Sequence, residues 1–246
     1  MRRIASIIVS AVVASATVAA PAVAAGPDSQ SVSVAAKKTK PAKPPKACRK
    51  RLAKPKKVVP SKRFAKCVVK AMVKGRTAHL SSRFSDGSGN QGDARFKKNY
   101  TETSASYSDG SRLVVLGGKA WFKPAGHGWV KAKNKGTPNE QLAWNIQQLW
   151  VGLSSARAYK AYLRASSSGW KPTGRNKGVN GVTAREYVGT VTIEGLTHDD
   201  YRVWVDKWDR PIRINSTLTA YGSTITGVQN FKKWGKNVKI KKPKLG

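Results

Sequence analysis

Apolar and polar positions follow three successive regimes along this chain. Residues 4–20 are almost unbroken apolar or small, with no acid. Residues 26–60 show no periodicity and are dominated by Lys and Pro. From Ser61 onward the pattern becomes regular. Phe64, Cys67, Val68 and Ala71 recur at spacings of 3 and 4, which predicts a helix capped by Ser61 and stopped by Gly75. The period then drops to two. Over residues 77–85, Ala78, Leu80, Ser82 and Phe84 fall on one side of a predicted strand, with Thr77, His79, Ser81 and Arg83 on the other. Asp86-Gly87 and Gly89-Asn90 form a turn. Strand-like runs follow at 94–98 and 100–107, then an Asp109-Gly110 hairpin signal. Runs at 113–116, 120–123 and 129–131, separated by glycine turns, extend the meander.

One helical interruption follows. Thr137-Pro138-Asn139-Glu140 reads as a capping box with Pro at the first helical position. Leu142, Ile146, Leu149, Trp150 and Leu153 then repeat at helical spacing. A second short helix, starting near Ser154 or Ser155, carries Tyr159, Tyr162 and Leu163. The last third alternates again. Tyr187, Gly189, Val191 and Ile193 share a face, as do Tyr201, Val203 and Val205. Ile212, Ile214 and Leu218 are expected together on a strand over 211–221, followed by strands over 223–231 and 238–240. Strands, a helical insert, then strands imply an α+β domain, mainly antiparallel β, over 61–246, with helices on one face of the sheet.

The flanking segments set the context. Arg2 and Arg3 before the apolar run, and small residues at 22–25, match a signal peptide over 1–25. The alternative is a membrane anchor, but the run is short for a span and diluted by Ser and Thr. Removing Arg2 and Arg3 lowers the net charge from +35 to +33. Residues 37–76 hold 17 Lys+Arg and no acid, yet the chain from 77 onward is itself +17. Such a field attracts polyanions and anionic membrane surfaces and says nothing about fold. The Lys/Pro segment 26–60 reads as an extended, disordered linker, either a wall-adhering arm or a plain spacer. Its charges make residues 37–76 the candidate contact for an anionic cell-wall polymer or membrane surface. In an exported protein the two cysteines, Cys48 and Cys67, favour a disulfide over free thiols, worth roughly 3 kcal/mol.

Four strings resemble the actinobacterial lipid-carrier lipoproteins of the LppX/LprG type, whose fold is shared with the LolA/LolB lipoprotein carriers. The first starts at Arg112-Leu-Val-Val-Leu-Gly-Gly-Lys-Ala-Trp-Phe-Lys-Pro and closes at Gly128-Trp-Val-Lys. The second is Asn180-Gly-Val-Thr-Ala-Arg-Glu-Tyr-Val-Gly-Thr. The third is Tyr201-Arg-Val-Trp-Val-Asp with Arg210-Pro-Ile-Arg, and the fourth is Phe231-Lys-Lys-Trp-Gly-Lys-Asn-Val-Lys-Ile. The resemblance implies a curved half-barrel sheet with helices on the concave face and an apolar cavity for lipid or glycolipid chains. Candidate lining residues are then Leu80, Phe84, Leu142, Ile146, Leu149, Trp150, Leu153, Tyr159, Tyr162 and Leu163, although such a stripe serves equally as ordinary core. The chain departs from the family in lacking a lipobox cysteine at the cleavage site and in its basic arm.

Other chemistries are poorly represented. His79, His127 and His198 are isolated from the cysteines. No nucleophile elbow, HExxH or phosphate-binding loop occurs. The expectation is therefore a binding protein, not an enzyme, with no catalytic residues, metal or cofactor. The runner-up function is a wall-polyanion or surface-adhesion protein. Trp121, Trp129, Trp204 and Trp208 among basic residues resemble a nucleic-acid stacking platform, but export argues against specific nucleic acid as partner.

Overall fold

The computed structural model describes Cys48, Leu52 and residues 57–245, except for 194, 221 and 222. The expected signal segment 1–25, most of the Lys/Pro segment and the turn at 221–222 lie outside the described residues. Three helices and eleven strands follow in the order α1 (Ser61–Gly75), β1 (Thr77–Phe84), β2 (Gly89–Phe96), β3 (Thr101–Tyr107), β4 (Arg112–Leu116), β5 (Lys119–Lys123) and β6 (Val130–Lys131). Then come α2 (Pro138–Ser154), α3 (Ala156–Arg164), β7 (Lys171–Val179), β8 (Val182–Ile193), β9 (Leu196–Val205), β10 (Pro211–Ala220) and β11 (Ser223–Lys232). All strands join one open antiparallel sheet in the order β6-β5-β4-β3-β2-β1-β11-β10-β9-β8-β7. Two meanders, β1–β6 and β7–β11, are thus sewn together by the β1·β11 pair, with Leu80 opposite Phe231.

This topology explains the placement of the helices. β6 and β7 are the two edges of the sheet, so the α2–α3 connection must cross from one edge to the other. The sheet is curved, and the helices lie on its concave face. Within the sheet, Gly92 pairs with Leu80 on one side and Ala105 on the other. A Cβ at Gly92 would overlap the Ser104 carbonyl and approach the Ala105 Cα to 2.6 Å, so only glycine permits this close approach.

The helix signals resolve with small shifts. Ser61 is the first residue of α1, not its cap; Pro60 occupies the cap position, and the Ser61 hydroxyl donates to the Ser166 carbonyl at 2.6 Å. The helix stops at Arg76, in the left-handed region with φ 63°. Gly75 has another reason to be small, because a Cβ there would sit 2.8 Å from the Trp234 ring. The capping box of α2 forms as expected, with the Thr137 N–H donating to Glu140 Oε2 at 2.9 Å. Ser155 caps α3, its hydroxyl accepting from the Ala158 N–H at 3.1 Å.

Four strand expectations change. β2 starts at Gly89, so Gly89 and Asn90 pair with Arg83 and Ser82 in the sheet and are not part of the turn. β7 (Lys171–Val179) was not predicted. Residues 238–240 form no strand, although Val238 and Ile240 are buried against Val114 and Trp121 on the face away from the helices. Ile212 does not share a face with Ile214. A register shift between Pro211 and Arg213 inserts a bulge, and Ile212 packs instead with Val179, Ala184 and Trp204.

The core lies between the concave face and the helices. Phe64 stacks on Trp170 with ring centroids 4.6 Å apart and meets Tyr187 at 4.9 Å. Core membership begins upstream of residue 61, for Cys48, Leu52 and Val59 are all buried. Val59 and Trp170 exchange backbone hydrogen bonds at 2.9 Å. The Leu52 carbonyl accepts from the Tyr187 hydroxyl at 2.7 Å and from the Arg185 guanidinium. The expected Cys48–Cys67 disulfide is present, with Cα atoms 5.3 Å apart, and fastens this segment to α1.

Candidate functional site

The sequence-predicted lining residues do not occupy one environment. Leu80, Trp150, Tyr159 and Leu163 are buried in the main core, with Ile146 packed against it. Leu149 and Tyr162 are half-buried, whereas Phe84 and Leu142 are exposed. The side chain of Leu153 lies outside the described residues. Tyr159 behaves as a satisfied core residue. Its hydroxyl donates to Gln229 Oε1 at 2.6 Å, and burial drives its phenol far above the ordinary tyrosine range. Tyr201 is shifted the same way by burial.

The more distinctive feature lies on the outer side of the helical layer. α1 packs directly against α3, and their diverging outer sides, with the β2–β3 loop, enclose a groove of about 720 Å³. Val69, Val73 and buried Ala156 give it an apolar floor. Lys70, Lys74, Lys98, Arg157 and Lys160 form its rim, and no acid lines it. The geometry follows from helical periodicity. The buried face of α1 uses Phe64, Val68, Ala71, Met72 and Gly75, which leaves Val69, Lys70, Val73 and Lys74 on the flank toward solvent. On α3, Ala156, Tyr159 and Leu163 point inward, which turns Arg157 and Lys160 outward. An apolar floor inside a cationic rim is chemically suited to an anionic amphiphile. The acyl or glycerol portion can cover the valines while the lysines and arginine neutralise the headgroup.

No family model matches the chain, and no curated protein matches it. Among solved structures, it is similar to a chain described as an outer membrane lipoprotein-sorting protein domain from Vibrio parahaemolyticus. The TM-score is 0.32 and the identity 10%, over 73% of this chain and 93% of that one.

A second hollow, of about 800 Å³, sits beside the β1–β2 hairpin. Phe84, Tyr107 and Val228 line it together with Ser81, Gln91, Ser106 and Asn230, so one sequence-predicted lining residue, Phe84, borders this hollow, and Arg83 is the cation there. The histidines are dispersed. His79 Nδ1 lies 3.0 Å from Asp93 Oδ1, and the His198 ring meets Tyr201 edge-on. Among the described residues no group of three His, Cys, Asp or Glu side chains could hold a metal ion, and no helix is long and apolar enough to cross a membrane.

Sequence reasoning anticipated basic residues beside a lipid site without saying which. The missed residues are Lys98, Arg157 and Lys160, together with the outward lysines of α1. Their signal was available: Lys62, Lys66, Lys70 and Lys74 recur every four residues, and Arg157, Lys160 and Arg164 at three and four, with no acid in either helix.

Proposed function

We propose that this chain is an exported, non-catalytic protein of the cell envelope that binds an anionic lipid or glycolipid. The observation that carries this reading is the groove between α1 and α3, where Val69, Val73 and Ala156 lie within reach of five cationic side chains. Burial of acyl methylenes there contributes about 0.8 kcal/mol each. Charge-assisted hydrogen bonds from Lys and Arg fix the headgroup. The ligand position differs from the interior cavity first expected, because Leu80, Trp150, Tyr159 and Leu163 serve the core.

A second reading, an adhesive binder of anionic wall polymer, draws on the acid-free run over residues 37–76. Salt separates the two. A polymer held by charge alone dissociates as ionic strength rises, whereas a ligand with buried apolar parts persists. The test is to isolate the protein from its own host in high salt, extract it with organic solvent and identify bound lipid by mass spectrometry. A stoichiometric anionic lipid, reduced in a Lys70→Ala/Lys74→Ala/Lys160→Ala variant, supports the reading. A lipid-free protein that retains wall polymer at low salt overturns it in favour of the polymer binder.

A further inference from the structure

The cations of the helical layer extend well beyond the groove. α1 presents Lys62, Arg63, Lys66, Lys70 and Lys74, all exposed, along about 18 Å of helix. α3 adds exposed Arg157, Lys160 and Arg164, and the β2–β3 loop adds Lys98. Among the described residues none of these nine enters an ion pair. Like charges at i,i+4 oppose helix formation. The α1 stripe contains three such pairs in succession and no acid to relieve them. On the same side, Val69 and Val73 are only partly covered. Two adjacent helices thus form one face that is cationic throughout and carries apolar side chains in its middle.

From this we infer that the outer face of α1 and α3 docks on an anionic phospholipid bilayer. The charge complementarity selects the bilayer. The cations are spread over two helices and a loop, as a surface of many headgroups requires. Docking in this orientation places the mouth of the groove against the membrane. The inference rests on the lipid-binding reading in making that groove the place where a lipid is taken up or released.

The test uses the purified protein, basic arm included, and sedimentation with phosphatidylcholine vesicles made with or without phosphatidylglycerol. Phosphatidylglycerol vesicles are expected to capture the protein at low salt and release it at high salt, with little binding to phosphatidylcholine alone. The decisive variant is Lys62→Glu/Lys66→Glu/Arg164→Glu, which changes the docking face but spares every groove-lining residue. It is expected to lower vesicle partitioning by at least about 100-fold. A control of equal net charge, Lys119→Glu/Lys123→Glu/Lys131→Glu, alters the β5–β6 edge and is expected to lose far less. Equal losses in the two variants, or no loss in the first, overturn the inference, since binding then follows net charge or the arm. Undiminished binding of soluble polyphosphate by a protein that ignores the vesicles also overturns it. Thermal melting confirms that both variants fold. Lipid content measured on the docking variant separates the two ideas. Retained lipid with lost vesicle binding supports both, and absent lipid in the unmutated protein with intact vesicle binding defeats only the groove reading.

Discussion

Among the described residues, Asp209 is a buried acid whose ionisation works against the fold, and replacing it should make that visible. It sits in the β9–β10 turn at φ 60°, 4% exposed, and its Oδ2 has no hydrogen-bond partner. Burial pushes its carboxyl up to about 7; the Asp206 carboxylate adds to the effect, and the Arg185 guanidinium opposes it. Asp206 itself is well held, with Oδ2 2.6 Å from Arg210 Nη2 and Oδ1 accepting from the Trp208 N–H at 2.8 Å. The unfolded chain releases the Asp209 proton near 3.8, whereas the folded protein keeps it until about 7. Between those values the folded state binds more protons, so stability falls as pH rises and levels off above 7. At about 1.36 kcal/mol per pH unit, the interval amounts to about 4 kcal/mol. Asn suits the left-handed backbone and removes the charge while keeping the N–H donation to the Asp206 carbonyl. Urea unfolding of the Asp209→Asn variant across pH 4 to 8 should therefore match the parent near pH 4 and exceed it by a growing margin toward pH 8. A margin that is flat across that range, or that shrinks with pH, would falsify the assignment of an uncompensated buried carboxyl.

Two further perturbations test the frame around the site. Reducing Cys48–Cys67, which spans 19 residues, should lower stability by roughly 3 kcal/mol. It should also expose the Leu52 segment to proteolysis, and limited digestion that leaves that segment as resistant as before would contradict its anchoring role. Gly92→Ala should cost more than the few tenths usual for a surface strand, about 2 kcal/mol or more, because its Cβ meets backbone rather than a movable side chain. A melting temperature unchanged by this substitution would show that the backbones do not approach so closely there.

The legible parts of the fold were those where local chemistry and tertiary context agree. The α2 capping box and the Asp109-Gly110 turn follow from their own few residues, whereas in β1 the alternation fails at both ends, where Thr77 is buried and Phe84 exposed. The failures have physical causes that a linear pattern does not contain. β7 carries Lys, Pro and two Gly residues because it is an edge strand, where such residues discourage pairing with another chain and the apolar alternation is weak. Ile212 changed faces because one bulge reverses the two-residue period. Val238 and Ile240 looked like a strand because they are buried, yet their cover comes from Val114 and Trp121 without a ladder. The groove was only half legible. The lysine spacing on α1 and the Arg–Lys–Arg spacing on α3 can each be read from sequence. That the two stripes lie side by side depends on α1 packing against α3 across eighty residues of intervening chain, 76–155.

The same packing explains why charge could accumulate on this layer. α1 meets two separate demands on its two sides. Its inner side is committed to Phe64, Val68 and Met72 in the core and to Cys67 in the disulfide, so residues there are chosen by volume and bonding. On its outer side Lys62, Lys66, Lys70 and Lys74 are exposed, and substitutions of these lysines alter stability through helix propensity and charge repulsion. Three successive i,i+4 lysine pairs oppose the helix by about 1 kcal/mol in total. That is small beside the burial of Phe64 alone, whose truncation would cost about 3–5 kcal/mol. The fold can therefore tolerate the cationic face without needing it. A face that the core does not require, and that slightly opposes helix formation, calls for an explanation outside the folded chain. An anionic partner supplies one, because its charge removes the repulsion that the chain itself leaves unanswered.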